Sequence, residues 1–377
     1  MDASREVDEV IEHLQECYSS TVNGDEIQVL SGLGGVRNRP GMYVGNTDDG
    51  TGLHHLLWEL VGNVVDLHLA RLATELHVDV TDDGWVSVRD DGPGISTDVH
   101  PCHEATTLEI VFTTLMASGP TTPRHTPHVH LTPSLMGVGL CVVNALSTRT
   151  EVETTRDGKR WAMAFERGEV ATPLQDLGAT SVEGTLIRFR PDAQIFSSIE
   201  LDLEHVRDRL QQVAWLTPLL RVFFQERRVN GRGGLRGWAE QHAAGAAVAM
   251  FSTEQMVDDV YVDIALAWRD DGAPVIHSFV NMQSSRDHGT HVEGLYRAFA
   301  ACAKDLGVTA TELRKRIEPG LIAIIHVGLY DPRWGNPRKD QLMSPVAADV
   351  VAKVLRDQFV ISKHLREFFE SRLPRGA

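Results

Sequence analysis

The sequence has few cysteines, few lysines and no long apolar run. Its four cysteines are scattered along 377 residues without a CxxC pair, which is typical of reduced thiols in a cytosol rather than of a disulfide framework. No run approaches the roughly 18 apolar residues of a membrane helix. The acidic residues 1–6 lack the apolar core of a signal peptide. These absences predict a cytoplasmic protein that does not enter a membrane.

Positive charge is also scarce. The 36 lysines and arginines are outnumbered by 52 aspartates and glutamates, so the formal net charge is −16. A protein that binds nucleic acid tightly by itself needs a basic face. Only the stretches 227–236 and 314–316 offer one locally. The content of 42% hydrophobic and 23% charged residues is ordinary for a globular protein. The length allows about two domains at ~150 residues each.

One stretch, residues 54–67, is apolar on almost every side if it forms a helix, and such a helix is normally buried. His55, Glu59, Asn63 and Asp66 nevertheless lie at i, i+4, i+8 and i+11, which is one line along one face. Burial of an unpaired carboxylate or amide is costly. We therefore expect this polar row to border a cavity that holds water, a metal or a ligand.

Two glycine-containing segments add to this prediction. A hairpin turn at 82–84 joins two predicted strands, and the second runs into the Asp-Asp-Gly-Pro-Gly of residues 90–94. Carboxylates there lie beside a bend through which the backbone can approach a ligand. A long loop, 117–134, leads to the Gly-Val-Gly of 137–139 and an apolar helix, whose backbone N–H groups suit an anion. That glycine pattern alone is weak, because it matches neither the Walker motif nor the full dinucleotide fingerprint.

Together these features resemble the GHKL nucleotide-binding fold, and more closely the ATPase half of the DNA gyrase B family. The resemblance extends from about residue 27 to the C terminus. It rests on the runs 27–33, 36–45, 47–55 and 137–147 and, in the second half, on 289–292, 320–323, 331–334 and Lys339-Asp340.

The resemblance implies an α+β fold, in which a GHKL (Bergerat) α/β sandwich with a mixed sheet precedes a smaller transducer domain of split βαβ topology. We expect an N-terminal arm at 1–26, the GHKL domain at 27–220 and the transducer at 221–377, ending in a long helix at 345–372. ATP and Mg²⁺ would be the cofactors. ATP binding would bring two chains together as a dimer clamp, with DNA or a gyrase-type subunit as partner.

The resemblance also assigns roles to residues. Glu59 would be the general base that polarises the attacking water, oriented by His55 one helical turn earlier. Asn63 would give its amide oxygen to Mg²⁺. Lys339, one of only six lysines, would reach the γ-phosphate from the second domain. The remaining nucleotide-binding residues would be Asp90, Gly94, Ile95 and Thr185 around the adenine and Met136, Gly137, Val138 and Gly139 at the phosphates.

The chain departs from the family pattern around this site. Gly62, Leu67 and Pro93 replace a family Asp, Glu and Arg. The Glu and Arg normally pair, and losing both costs less than leaving one charge alone. The family's Gly-Gly-Lys becomes Ser-Gly-Pro at 118–120, and its Gln-Thr-Lys becomes Pro-Arg-Lys at 337–339. We therefore expect a remodelled pocket whose ATP turnover is slow.

Two other functions stay open on the sequence. The ATP site could serve phosphoryl or adenylyl transfer to a small-molecule acceptor admitted by the altered lid. Alternatively, the chain could be a non-catalytic sensor or decoy that binds gyrase partners or gyrase-directed drugs. Arg156 matches an arginine of the family's aminocoumarin pocket, which favours drug binding.

Two further expectations concern metals and the end of the chain. The sequence stops after the transducer helix, without the TOPRIM and C-terminal parts, so we expect it not to complete a topoisomerase by itself. A histidine-rich segment could suggest a zinc site, but its spacing fits no standard finger. Its members are His100, Cys102, His103, His125, His128 and His130.

Overall fold

The computed structural model describes residues 32–117, 137–336 and 338–373. The helices are α1 (Gly34–Asn38), α2 (Gly41–Val44), α3 (Thr51–Leu69), α4 (Thr107–Thr113), α5 (Gly139–Ala145), α6 (Leu203–Leu216), α7 (Gly234–Ala243), α8 (Thr290–Asp305), α9 (Ala310–Ile317), α10 (Pro345–Ile361) and α11 (Lys363–Arg372). The strands are β1 (Glu75–Val80), β2 (Val86–Asp90), β3 (Ser147–Arg156), β4 (Lys159–Glu166), β5 (Glu169–Ala179), β6 (Thr185–Pro191), β7 (Arg221–Phe224), β8 (Arg227–Arg228), β9 (Ala249–Val257), β10 (Val260–Trp268), β11 (Val275–Val280), β12 (Gln283–Ser284) and β13 (Leu321–Gly328).

The first sheet has eight strands in the order β5-β4-β3-β6-β2-β1-β7-β8. Neighbouring strands are antiparallel except β1 and β7, which run parallel and make the sheet mixed. The helix α3 begins where Asp49 accepts hydrogen bonds from the Thr51 N–H (2.9 Å) and hydroxyl (2.6 Å). Its leucines and valines from Leu53 to Val65 are buried in the same apolar core as β1, β2 and α5. Core packing and the Asp49 hydrogen bonds therefore hold α3 in place without a ligand.

The two halves of the described chain share part of this core. The strands β7 and β8 follow the predicted domain boundary at 220 and pair with the first sheet. Trp238 of α7 then packs its ring 5.0 Å from that of His277 and 5.6 Å from that of Phe279, both on β11. Arg209 of α6 donates to the Met282 carbonyl at 2.9 Å. The helices α6 and α7 thus connect the two sheets.

The second sheet has five strands in the order β12-β11-β13-β10-β9. The mixed α+β fold is as predicted, but the split βαβ detail is wrong. The strands β11 and β13 are parallel, joined through α8 and α9, and are direct neighbours with no strand between them. The cause lies in β13, because all eight of its residues are buried. Such a continuously apolar strand takes the centre of a sheet, here between β11 and β10.

The predicted long helix at 345–372 is two helices rather than one. Ser362 has extended backbone (φ −82°, ψ 94°) and caps α11 by accepting a hydrogen bond from the Leu365 N–H at 3.4 Å. The break turns Phe368 and Phe369 onto Trp268, with ring centroids 5.2 and 5.6 Å apart. Burial of these aromatic rings therefore competes successfully with helix continuity. Among helices in the described ranges, none is both long and apolar enough to span a bilayer.

Candidate active site

The polar row predicted on α3 lies on one face of the helix. Residues 52–58 are buried, Glu59 is only partly exposed, and Asn63 is exposed within an otherwise buried stretch. His55 Nε2 lies 3.0 Å from Glu59 Oε1, so the imidazole fixes the direction of the carboxylate. Asp66, the fourth member, is 2% exposed and does not share the open face of Asn63. The row therefore opens at Glu59 and Asn63.

The N-terminus of α5 lies directly against Glu59. A Cβ atom on Gly139 would overlap Glu59 Oε2, so only glycine allows this approach without displacing the carboxylate. Gly137 has a φ of +76°, and no side chain caps the helix at Val138 among the described residues. At its other end α5 is held by Arg37, which donates to the Ala145 carbonyl at 2.7 Å. The first amides of α5 and the Glu59 carboxylate thus share one space.

The pKa of the Cys141 thiol is affected by burial and by the charge of Glu59. Burial raises the pKa of its thiol to about 12, and the negative charge of Glu59 adds to the effect. The Sγ atom donates to the Val138 carbonyl at 3.1 Å. The thiol therefore stays protonated at neutral pH.

At the other end of the site, Asp90 and Asp91 have opposite environments. Asp91 accepts hydrogen bonds from the Thr74 N–H (2.7 Å), the Thr74 hydroxyl (2.5 Å) and the Glu75 N–H (2.9 Å). Burial acts against its ionisation, but these bonds outweigh it and lower its pKa. Burial raises the pKa of Asp90 to about 6, although the Gly92 and Thr185 N–H groups partly stabilise its charge. Asp91 is thus held by Thr74 and Glu75, whereas Asp90 is the candidate acceptor for a ligand.

The predicted adenine-side residues converge with Asp90. Gly94 has a φ of +76°, and a Cβ there would overlap the Thr155 carbonyl. The Ile95 N–H donates to Thr154 Oγ1 at 2.8 Å, and that hydroxyl lies 3.3 Å from Thr185 Oγ1. Thr154 is 1% exposed and was not predicted from the sequence, where a threonine within a strand gives no distinctive signal. Its hydroxyl links the 90–95 turn to β6.

The altered positions lie at the edge of this region. Leu67 Cδ1 would be 3.2 Å from a Cβ on Gly92, so the leucine packs against the turn that carries Asp90. The Pro93 carbonyl accepts a hydrogen bond from Arg156 Nη1 at 3.4 Å. An apolar contact and an arginine–carbonyl bond therefore occupy the positions at which the family pattern has a Glu–Arg pair.

Lys339 reaches the site from the second half of the chain. It lies on the Lys339 hairpin, which we define as residues 333–343, apart from the undescribed residue 337. Trp334 and Leu342 pair across this hairpin, and Leu342 also pairs with Gly289. A Cβ on Gly289 would overlap the Leu342 backbone, so this glycine allows the close approach. The hairpin is therefore joined to the start of α8.

The charge of Lys339 interacts with that of Glu59. Burial lowers the pKa of Lys339, and the Glu59 carboxylate opposes this by raising it. The lysine is partly buried and has a φ of +57°, an uncommon conformation for a residue other than glycine. A cation from the second half thus lies near the carboxylate of α3.

The structure therefore groups the predicted residues into two ends. One end contains His55, Glu59, Gly139 and Lys339. The other end contains Asp90, Gly94, Ile95 and Thr185. Met136 lies outside the described residues, as do His125, His128 and His130. Within the described ranges, no cluster of three His, Cys, Asp or Glu side chains is arranged to hold a metal ion.

Comparison with known proteins identifies the family. Residues 48–195 match the family "Histidine kinase-, DNA gyrase B-, and HSP90-like ATPase", and residues 234–368 match the family "DNA gyrase B". The DNA gyrase B protein of Thermotoga maritima is 34% identical over 360 residues, covering 89% of this chain and 56% of that protein. The chain spans about half the length of the curated relatives it matches.

Solved structures agree in fold. The topoisomerase IV ATP-binding domain of Francisella tularensis, in complex with a small-molecule inhibitor, has a TM-score of 0.71 and 26% identity over 91% of this chain and 96% of that chain. The 43K ATPase domain of Thermus thermophilus gyrase B, in complex with an aminocoumarin, has a TM-score of 0.75 and 31% identity. Because that match covers 90% of both chains and two gyrase-type families match in succession, the chain belongs to the DNA gyrase B family.

Proposed function

We propose that the chain binds MgATP and hydrolyses it to ADP and phosphate. One observation carries the proposal. Glu59 of α3, Gly139 of α5 and Lys339 of the second half converge at one place, although they are far apart in sequence. Hydrolysis at a terminal phosphate requires a group that activates the attacking water and groups that stabilise the negative charge. A carboxylate can do the first, and helix amides and a lysine can do the second.

The residues present also fit an adenine nucleotide. Asp90 is an acceptor for the adenine amino group, and its raised pKa reflects a desolvated carboxylate. Gly94 lets the backbone approach a flat base. Asn63 offers an exposed amide oxygen to Mg²⁺, a cation that prefers oxygen ligands and shares them with phosphates. When bound, Mg²⁺ would supply charge neutralisation at the phosphate oxygens.

The chain's own residues then account for the reaction. Glu59 accepts a hydrogen bond from the attacking water and takes its proton as the oxygen–phosphorus bond forms, while the bond to the ADP oxygen breaks. His55 keeps the carboxylate in one orientation. The α5 amides and Lys339 hold the negative charge of the transferred group.

We further propose that this reaction drives a dimer clamp. Lys339 belongs to the second half, so a nucleotide bound by both halves would favour one arrangement of the two. Two chains would close with ATP and reopen after hydrolysis. We place this cycle in the cytoplasm, in DNA topology, with DNA or a gyrase-type subunit as partner.

The test replaces Glu59 by Gln. Loss of the general base should lower kcat by about 10²- to 10⁴-fold, while the affinity for a non-hydrolysable ATP analogue stays close to that of the wild type. Glu367→Gln, which alters an exposed glutamate on α11, is the matched control and should retain full turnover. Full turnover in Glu59→Gln would remove this residue from the mechanism.

Product analysis of the wild-type protein decides the reaction class. ADP and phosphate, released faster with DNA, are expected for the clamp. AMP with pyrophosphate, or a phosphorylated small molecule, would instead establish a transferase. Tight binding of ATP without any product would establish a nucleotide sensor.

A further inference from the structure

Gln283 makes an unusual contact beneath the Lys339 hairpin. It lies on the two-residue strand β12, and its side chain is 4% exposed. Its Nε2 atom donates to two successive carbonyls, those of Arg338 and Lys339, each at 3.2 Å. Its Oε1 atom accepts no hydrogen bond from any described residue, so the amide acts as a donor only. Both of its N–H groups are used on the backbone that carries Lys339.

That backbone needs support. Lys339 adopts a backbone φ of +57°, which residues other than glycine rarely adopt. Its N–H bonds to the Asn336 carbonyl at 3.1 Å, and the Asp340 N–H bonds to Asn336 Oδ1 at 3.2 Å, both within the hairpin tip. Such strained residues persist only where surrounding contacts fix them. Gln283 provides that fixation from outside the tip.

The segment that carries Gln283 is itself tied to the first half. The preceding carbonyl, that of Met282, accepts a hydrogen bond from Arg209 of α6 at 2.9 Å. This guanidinium is buried, and burial lowers its pKa to about 10. A buried charge donating to a carbonyl makes a strong, water-excluded bond. A continuous set of bonds therefore leads from α6 through residues 282–283 to Lys339.

We propose that Gln283 is a positioning residue for Lys339: its amide sets the lysine backbone so that the ammonium group meets the γ-phosphate. The proposal rests on the proposed function, because it assumes that Lys339 contacts that phosphate. The chemistry is specific to glutamine. Glutamate has the same length but no N–H to donate, methionine matches the size without polarity, and asparagine is one methylene too short to span the two carbonyls.

The experiment measures how well the full chain distinguishes a triphosphate from a diphosphate. The readout is the ratio of the Kd for ADP to the Kd for a non-hydrolysable ATP analogue, obtained by calorimetry. A lysine on the γ-phosphate makes this ratio large, and Lys339→Ala should lower it about tenfold, as expected for loss of one charge-assisted bond. Gln283→Met and Gln283→Glu should lower it by a similar factor in the wild-type background. Neither should lower it further in Lys339→Ala.

The matched control is Gln255→Met. Gln255 lies on β9, the opposite edge of the same sheet, and donates to Thr253 Oγ1 at 3.3 Å. It should leave the ratio unchanged. Melting temperatures of all variants identify general unfolding, which would alter both affinities together rather than their ratio. Two Gln283 variants are used so that poor folding of one does not decide the outcome.

Two results would overturn the inference in distinguishable ways. If Lys339→Ala lowers the ratio and the Gln283 variants do not, Gln283 has no positioning role and the proposed function stands. If Lys339→Ala leaves the ratio unchanged, the γ-phosphate contact itself is wrong, and the role of Gln283 falls with it. An equal additional loss in the Lys339→Ala background would show that Gln283 acts on something other than this lysine.

Discussion

The Asp90 end and the Glu59 end of the site both depend on glycines, but these glycines face different neighbours. A Cβ on Gly94 would overlap the Thr155 carbonyl, and one on Gly184 would overlap the Asp90 carbonyl. A Cβ on Gly139 would instead overlap the Glu59 carboxylate, the far end of a flexible side chain. Backbone within a sheet cannot shift alone, whereas a carboxylate can rotate. The Asp90 end, which we propose holds the adenine (the adenine end), is therefore rigid. The Glu59 end, which we propose holds the phosphates (the phosphate end), is adjustable.

The two ends also differ in the elements that carry their residues. Asp90, Thr154 and Thr185 all lie on one sheet, in strands that pair with one another or with a common neighbour. At the phosphate end, Glu59 lies on a helix of the first core and Lys339 on a hairpin joined to the second. Because the residues of the adenine end lie on one sheet, their arrangement toward a ligand is fixed. An end assembled from both halves can respond to how those halves are arranged.

The largest effect expected from the rigid end is that of Gly94→Ala. The new Cβ meets backbone and occupies a residue at φ +76°, so the free energy of unfolding should fall by about 3 to 4 kcal/mol. Urea unfolding monitored by circular dichroism measures the change. Gly158→Ala is the matched control, because Gly158 has a φ of +74° and no atom within 4 Å of its added Cβ.

That control should lose only about 1 kcal/mol, the cost of the left-handed conformation alone. Equal losses in the two variants would mean that the Thr155 carbonyl moves easily. The adenine end would then be no more rigid than the phosphate end.

Asp90→Asn should separate stability from binding. Burial raises the pKa of Asp90 from 3.8 to about 6, so at pH 8 the folded state carries a desolvated charge that the unfolded state does not. One pKa unit corresponds to about 1.4 kcal/mol, so the variant should be more stable by up to about 3 kcal/mol at pH 8. The gain should shrink as the pH falls from about 6 to about 4 and vanish near pH 3, where both states are protonated. Affinity for ATP should drop about tenfold, because a charged acceptor is lost.

Asp91→Asn is the adjacent control for this prediction, and its sign is opposite. Asp91 accepts three hydrogen bonds that lower its pKa, so its replacement should reduce stability at pH 8 and leave it less affected at pH 3. Denaturant unfolding from pH 3 to 8 compares the two variants. If both changed stability in the same direction, the different environments assigned to the two carboxylates would be wrong.

The family resemblance implied the mixed α+β fold, and the pattern of buried segments predicted some of its elements. The helix α3 was expected from its apolar surface, and it lies at Thr51–Leu69. The edge strand β5 was missed, since most of its residues are exposed and give no alternation. α7 was missed because it begins at Gly233-Gly234, residues typical of loops, and is stabilised by packing of Trp238 on the second sheet.

The site shows a similar limit. A polar row on an apolar helix, and glycines and carboxylates at turns, are recognisable in a sequence, and so Glu59, Gly139 and Asp90 were named. Thr154 and Gln283 were not, because a polar residue in a strand is common and only the fold shows what it contacts. The partners of Lys339 could not be derived from spacing either, because Lys339 and Glu59 are far apart in sequence and interact only in the folded chain.

Gly139→Ala gives the smallest expected effect and tests the adjustable end. Alanine suits a helix better than glycine, so stability should rise by up to about 1 kcal/mol, while the Glu59 carboxylate must rotate away from the new methyl group. We expect kcat to fall about tenfold, as for a modest misplacement of a general base, and ATP affinity to change less than kcat. Gly35→Ala in α1, where nothing lies within 4 Å of the added Cβ, should stabilise similarly at full turnover. A drop in stability without loss of turnover would show that the phosphate end is the rigid one.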